Sequence, residues 1–229
     1  MRKVIVINNE IISVKYGESV LPENVVFQGG DKEKVWHIDF ILYLIKTADR
    51  LILVDAGCET MPGFEMKNFD GTVKALKKTG FDCESITDVI ITHAHHDHIE
   101  CAGYFEKATI HIQEDEYESG KRYLKNNINI KTFKDEQIVC NGVKIIRIGG
   151  HSKGSCIVEI ENGDECIAIM GDECYSHKCI TEKIPTGSSE YIEKSVEFIK
   201  KYSSGKYTLL FCHDEKVLRK DYEYESNFS

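Results

Sequence analysis

Residues 93–98 read His-Ala-His-His-Asp-His, four imidazoles and a carboxylate in six positions, directly after the strand-like run Val89, Ile90, Ile91. Imidazole and carboxylate are the ligands that Zn²⁺ and similar divalent ions take. Buried rings each need hydrogen-bond partners, so such density is costly to keep for packing alone. Acidic and imidazole residues recur at the same kind of junction elsewhere. Asp55 follows 51–54, His151 follows 143–150, Asp172 follows 167–171, and His213 with Asp214 follows 207–212. Repeated placement after strand-like runs predicts that these groups converge on one edge of the sheets, where catalytic groups commonly sit.

A length of 229 residues suits one domain, 1–229, with mass for a real core. The net charge is −9 and no lysine- or arginine-rich stripe is present, which excludes nucleic acid as a partner and disfavours an anionic membrane surface. No apolar run approaches the roughly 20 residues of a membrane span. The N-terminus enters a strand-like pattern at once, unlike a secretory leader. Nine cysteines without a Cys-x-x-Cys pair read as reduced thiols in the cytoplasm, most of them small buried hydrophobes.

Strand-like runs are expected over 4–7, 11–14, 38–45, 51–54, 89–92, 108–112 and 207–211. A helix is expected over 70–78, with Asp70 as N-cap and Gly80 just past its end, and another starts at Asp97 and runs to 105. Asn141-Gly142 and Asn162-Gly163 each separate two β-rich runs, the strongest short hairpin cue. Residues 190–202 read as an amphipathic helix with Ile192, Val196 and Ile199 on one face. Two sheets packed inside with helices outside satisfy this order.

The ligand-type residues resemble the metallo-β-lactamase superfamily of metal-dependent hydrolases, in the family's order from about Asp55 to Asp214. The His-x-His-x-Asp-His signature stands as His93, His95, Asp97 and His98. The later histidine matches His151 in Gly-Gly-His-Ser-Lys-Gly-Ser, the bridging aspartate matches Asp172 in Met-Gly-Asp, and the last histidine matches His213. The resemblance implies an α/β fold, the αββα four-layer sandwich of two mixed β-sheets flanked by helices. It implies two divalent metal ions, Zn²⁺ first, with Mn, Fe or Co also accepted by such ligands. His93, His95 and His151 would hold one ion; Asp97, His98 and His213 the other; Asp172 would bridge them; Asp55 would orient a ligand. His37, His111 and His177 have no such context and are read as structural, and His96 as the non-ligand position of the signature, facing the pocket or a neighbouring loop.

Among the family's branches the chain looks most like the acyl-homoserine lactonases, on Tyr175 three residues after Asp172 and on Ile184-Pro185-Thr186-Gly187. That implies a hydrolase in which a metal-bridging hydroxide opens an ester-type bond of a small-molecule substrate, a lactone. Asp97 would pass a proton to the leaving group and Tyr175 would donate to the lactone carbonyl. One departure stands out: those lactonases usually carry an apolar residue where this chain has His96. Two other readings are kept. One is a thioester hydrolase of the glyoxalase II type; the other is an iron-dependent persulfide dioxygenase-like oxidoreductase. Gly150-His151-Ser152-Lys153-Gly154 also matches a nucleophile elbow, which would need a helix directly after it. Cys58, Cys101, Cys174 and Cys212 stand near motif residues, so one or more thiols are candidates to line the site. The tail's Tyr222, Tyr224 and Phe228 are candidates to dock on the domain or cover the pocket. The oligomeric state stays open, a homodimer being one option.

Overall fold

The computed structural model describes residues 9–219. The strand expected over 4–7, and Tyr222, Tyr224 and Phe228, lie outside the described residues.

Six strands form the first sheet, in spatial order β1 (Glu10–Pro22), β2 (Val35–Lys46), β3 (Leu51–Val54), β4 (Asp88–Ile91), β5 (Thr109–Gln113) and β6 (Asn129–Phe133). The first three pair antiparallel and β3 to β6 pair parallel. Parallel neighbours need crossovers, and these are carried by α2 (Thr72–Lys78), α3 (His96–Ile99) and α4 (Glu114–Gly120). A one-turn helix, α1 (Glu23–Val26), joins β1 to β2. The second sheet has the order β11 (Thr208–Leu210), β10 (Glu165–Ile169), β9 (Cys156–Asn162), β8 (Val143–Arg147) and β7 (Glu136–Cys140). It is antiparallel except where β11 joins β10 after α5 (His177–Thr181) and α6 (Ile192–Tyr202). Two mixed sheets thus pack face to face with helices outside, the αββα sandwich.

Side-chain alternation builds the layers. On β2, Ile41, Tyr43 and Ile45 enter the core between the sheets, where they meet Ile145, Val158 and Ile169 of the second sheet. Phe40, Leu42 and Leu44 point the other way into the layer shared with Leu76 and Ile99. All four residues of β4 are buried, as expected of a central parallel strand covered on both faces.

Several local expectations shift. Asp70 does not cap α2: the N-cap is Gly71, and the Asp70 carboxylate pairs instead with Lys74 and Lys78. The helix expected from Asp97 to 105 is α3 followed by a 3₁₀ segment, Glu100–Tyr104, and His95 precedes it as N-cap. Asn162 belongs to β9 and pairs with Glu165, so the hairpin loop is Gly163-Asp164. Gly163 takes φ +67°, the glycine-first pattern of a type II′ turn. The buried stripe of α6 is Ser195, Phe198, Ile199 and Tyr202, and Val196 is 50% exposed. No helix follows the 150–154 segment; β9 starts at Cys156, which removes the nucleophile-elbow reading. No described helix is long and apolar enough to cross a membrane.

Candidate metal centre

Four ligand-type residues follow β4, His93 and His95 in the turn after it and Asp97 and His98 in α3, so the first sheet's side supplies His93, His95, Asp97 and His98. The second sheet supplies the rest: His151 between β8 and β9, Asp172 after β10, His213 after β11. Backbone bonds stitch this edge together. Cys156 N donates to Thr92 O at 2.9 Å, Ile41 N to Cys212 O at 2.9 Å, and Asp39 N to His213 O at 3.1 Å.

Two groups result. His93 Nε2 lies 3.0 Å and His151 Nε2 2.9 Å from His95 Nδ1. Ligands bonded at ~2.0–2.1 Å around a tetrahedral ion stand ~3.3 Å apart, so this trio has nearly the spacing of a metal's coordination shell. Asp97, His98 and His213 form the second trio. Between them sits Asp172. Its Oδ2 faces the first trio, 3.5 Å from His93 Nε2 and 3.4 Å from His151 Nε2. Its Oδ1 faces the second, 3.1 Å from both His98 Nε2 and His213 Nε2.

The outer partners set which nitrogen is free. Asp55, fully buried at φ +63°, accepts from Thr92 N at 2.7 Å, Thr92 Oγ1 at 2.9 Å and His98 Nδ1 at 2.8 Å. His213 Nδ1 donates to the Asp39 carbonyl at 2.8 Å. Because Thr92 Oγ1 gives its proton to Asp55, His93 Nδ1 donates to it, at 3.2 Å. In all three rings the proton is held at Nδ1 and the Nε2 lone pair is directed inward, as metal-ligating imidazoles require. His98 Nε2 and Asp172 Oδ1 are buried yet unpaired in hydrogen-bond terms. Orphaned buried polar atoms are costly; a divalent cation would satisfy both, and the donor set fits one on each side of Asp172.

Charge follows burial and neighbours. Burial lowers His93 and His151 to about 3, so both rings are neutral. Burial also opposes charge on His98 and His213, but the Asp172 and Asp97 carboxylates outweigh it and raise both. The His98 and His213 imidazoles beside them in turn hold Asp97 and Asp172 below the ordinary carboxylate range despite their burial.

A cleft of about 260 Å³ opens onto the site. His95, His96, Asp97, Asp172, Tyr175 and His213 form its polar end. Leu21, Val25, Ile38, Phe40, Met61 and Phe64 form its apolar walls. No lysine or arginine is among the described residues lining it. Tyr175 stacks within 4.7 Å of the His213 ring, and its hydroxyl accepts from Ser188 Oγ at 3.1 Å. Burial and Asp172 hold that phenol well above its ordinary pKa, so it keeps a proton to donate.

The other singled-out residues fall elsewhere. His37 meets Asp39 at 3.2 Å, His111 meets Asp88 at 2.8 Å and His177 meets Asp214 at 2.5 Å. The Glu18–His37–Asp39 group already holds a cation, since Lys15 Nζ lies 2.7 Å from both carboxylates. Cys58, Cys101, Cys174 and Cys212 are buried and none lines the cleft, which corrects the expectation of a thiol there. Burial pushes the Cys58 thiol up to about 12 and raises the other three as well; small apolar side chains were drawn into the core.

Two buried carboxylates had no motif to announce them. Glu116 accepts from Ala94 N, Ser152 Oγ and Gly154 N at 2.7–2.8 Å. Glu173 Oε1 accepts from Gly150 N at 3.1 Å, His151 N at 3.3 Å and Ser155 Oγ at 2.5 Å. Together they cradle the 149–155 loop that presents His151. Gly150 is required there, because a Cβ would stand 2.4 Å from both Glu173 Oε2 and Ser195 Oγ.

The family model described as the metallo-beta-lactamase superfamily matches residues 42–213. The chain belongs to that superfamily. It is 28% identical over 200 residues to an N-acyl homoserine lactonase of Bacillus cereus, covering 75% of this chain and 80% of that one. The superfamily chain superimposes on a probable metal-dependent hydrolase from Staphylococcus aureus with a TM-score of 0.81, at 21% identity and 96% coverage of each chain. It also superimposes on AidC, a dizinc quorum-quenching lactonase in complex with a product, with a TM-score of 0.76 at 16% identity, covering 97% of this chain and 98% of that one. With its relatives, this superfamily member is an enzyme, a metal-dependent hydrolase.

Proposed function

We propose that the protein is a dinuclear metal-dependent lactonase that opens the ring of a small lactone bearing an apolar acyl tail. The observation that carries this reading is Asp172, whose two oxygens face two separate trios of ligand-type atoms. His93, His95 and His151 would hold one ion and Asp97, His98 and His213 the other, with Asp172 shared. Zinc suits imidazole and carboxylate at this spacing. Bound ions would supply a water of lowered pKa and a Lewis acid for the carbonyl.

The chain's own groups do the rest. Tyr175, protonated and with its acceptor side occupied by Ser188, donates to the substrate carbonyl oxygen. Asp97, a carboxylate at the polar end of the cleft, would accept a proton from the attacking water and hand it to the leaving alkoxide. The apolar walls take the acyl tail. The absence of lysine and arginine from the described lining counts against the carboxylates of a glutathione thioester and against a phosphodiester, both of which call for cations. The Bacillus cereus relative is named for lactone cleavage, which agrees. The reading takes 1–229 as one domain and places it in the cytoplasm, where nine free cysteines are stable.

Elemental analysis of the purified protein, beside a panel of lactones, thioesters and phosphodiesters with and without chelator, tests it. Two zinc-like ions per chain with chelator-sensitive lactone cleavage are expected. One iron per chain with no lactone cleavage would overturn it and favour the persulfide dioxygenase reading.

A further inference from the structure

The walls of the cleft differ in how they are held. Leu21, Ile38 and Phe40 sit on β1 and β2, whereas Met61 and Phe64 sit on an irregular segment between β3 and α2. That segment is tied at one end by Ser19 Oγ to Glu65 O at 3.0 Å and by the Glu18–Lys67 bridge. At the other end Glu59 N donates to Glu100 Oε2 at 2.8 Å. Between these ties, the described hydrogen bonds are a long one from Phe64 N to Met61 O, 3.4 Å, and one from His96 Nε2 to Thr60 O, 2.7 Å.

His96 stands between two signature residues, His95 and Asp97. A backbone carbonyl only accepts, so Nε2 carries the proton. Nδ1 is then an acceptor, and the Tyr123 hydroxyl stands 3.2 Å from it. Arg122 Nη2 donates to the same hydroxyl at 2.8 Å, leaving the phenol proton to go to His96. The result is a directional chain, Arg122 to Tyr123 to His96 to the Thr60 carbonyl.

We infer that His96 is a specificity-determining residue that latches the Met61–Phe64 wall over the apolar half of the cleft through the Thr60 carbonyl. The substrate side of this inference rests on the lactonase reading; the latch does not. His96 lines the polar end of the cleft itself and holds the apolar wall through Thr60, so loosening the wall penalises substrates with a tail more than those without one.

The test compares metal-loaded wild type with His96→Leu, His96→Gln and Tyr123→Phe. Amide hydrogen exchange across residues 60–65 is read first. It is expected to quicken about fivefold or more in His96→Leu, the loss of one net hydrogen bond. His96→Gln keeps a donor for the Thr60 carbonyl and is expected near wild type, and Tyr123→Phe falls between. Unchanged exchange in His96→Leu would overturn the latch. Steady-state kinetics then use N-hexanoyl-homoserine lactone and γ-butyrolactone. KM for the acylated lactone is expected to rise about five- to tenfold in His96→Leu with kcat changed less, to rise by a smaller factor in Tyr123→Phe, whose residue does not line the cleft, and in both variants to rise less for γ-butyrolactone. Equal effects on the two lactones would overturn the specificity role. If wild type cleaves neither lactone, the functional proposal fails, while the exchange data still decide the latch.

Discussion

Asp55→Asn separates the two metal positions. The native carboxylate is acceptor-only, and its Oδ2 takes protons from both Thr92 Oγ1 and His98 Nδ1. An asparagine amide in that place brings a donor against two donors. Turning the amide over moves the conflict onto Thr92 N, 2.7 Å from Oδ1. His98 can relieve it only by accepting at Nδ1, which puts the proton on Nε2, the atom 3.1 Å from Asp172 Oδ1. Thr92 Oγ1 can accept from the amide and still accept from His93 Nδ1, so the ligand lone pair is lost on His98 alone. A hydrogen bond to a charged group contributes about 1.5–3 kcal/mol, and loss of such an orienting partner weakens metal binding about 10- to 100-fold. Asparagine tolerates the φ of +63° found here, so backbone strain does not confuse the result. Competition against a chromophoric chelator should show one ion per chain weakened by that factor and the other, held by His93, His95 and His151, unchanged. Two unchanged affinities, or two equally weakened, would refute the tautomer argument.

Tyr175→Phe should lower kcat about 100-fold, the effect of losing one preorganised donor to a developing oxyanion, with metal content by elemental analysis unchanged. In metal-free protein, Glu173→Gln should alter the pH dependence of stability. Burial pushes the Glu173 carboxyl up from 4.5 to about 7, so the folded chain keeps a proton that the unfolded chain gives up between those values. Wild-type stability therefore falls as pH rises through that window, by about 3 kcal/mol, and urea melts of the variant should lack that fall. Ile90→Ala empties a fully buried position between the sheets and should cost about 2–5 kcal/mol, read as a lower denaturation midpoint at constant slope.

The strand β3 and the two hairpins were legible because periodicity and turn residues are local. The metal-type cluster was legible because its ligands sit in short motifs. Other features were not, for physical reasons. α1 and α5 are one turn long, too short to show a period. The buried stripe of α6 uses Ser195, a polar residue drawn inward where Gly150 packs against it; hydrophobicity alone points to Val196. The partner of His213 is a main-chain carbonyl 174 residues away, on Asp39, and any residue there would present one. Glu116 and Glu173 look in sequence like ordinary surface acids; only the fold shows that they anchor the His151 loop. His96 stood out by chemistry, but its hold on Thr60 depends on a loop path that no pattern encodes.

Four ligand-type residues ride on one sheet and three on the other. An ion held across that seam would fasten the two halves of the sandwich, and its binding energy would also be cohesion between the sheets. Free metal at 100 times its dissociation constant would add about 2.7 kcal/mol to the folded state, a large part of the margin of an ordinary domain. Starving the cell of metal would then do more than silence the enzyme. It would shorten the life of the molecule, and the supply of one nutrient would set both how fast each copy works and how many copies survive.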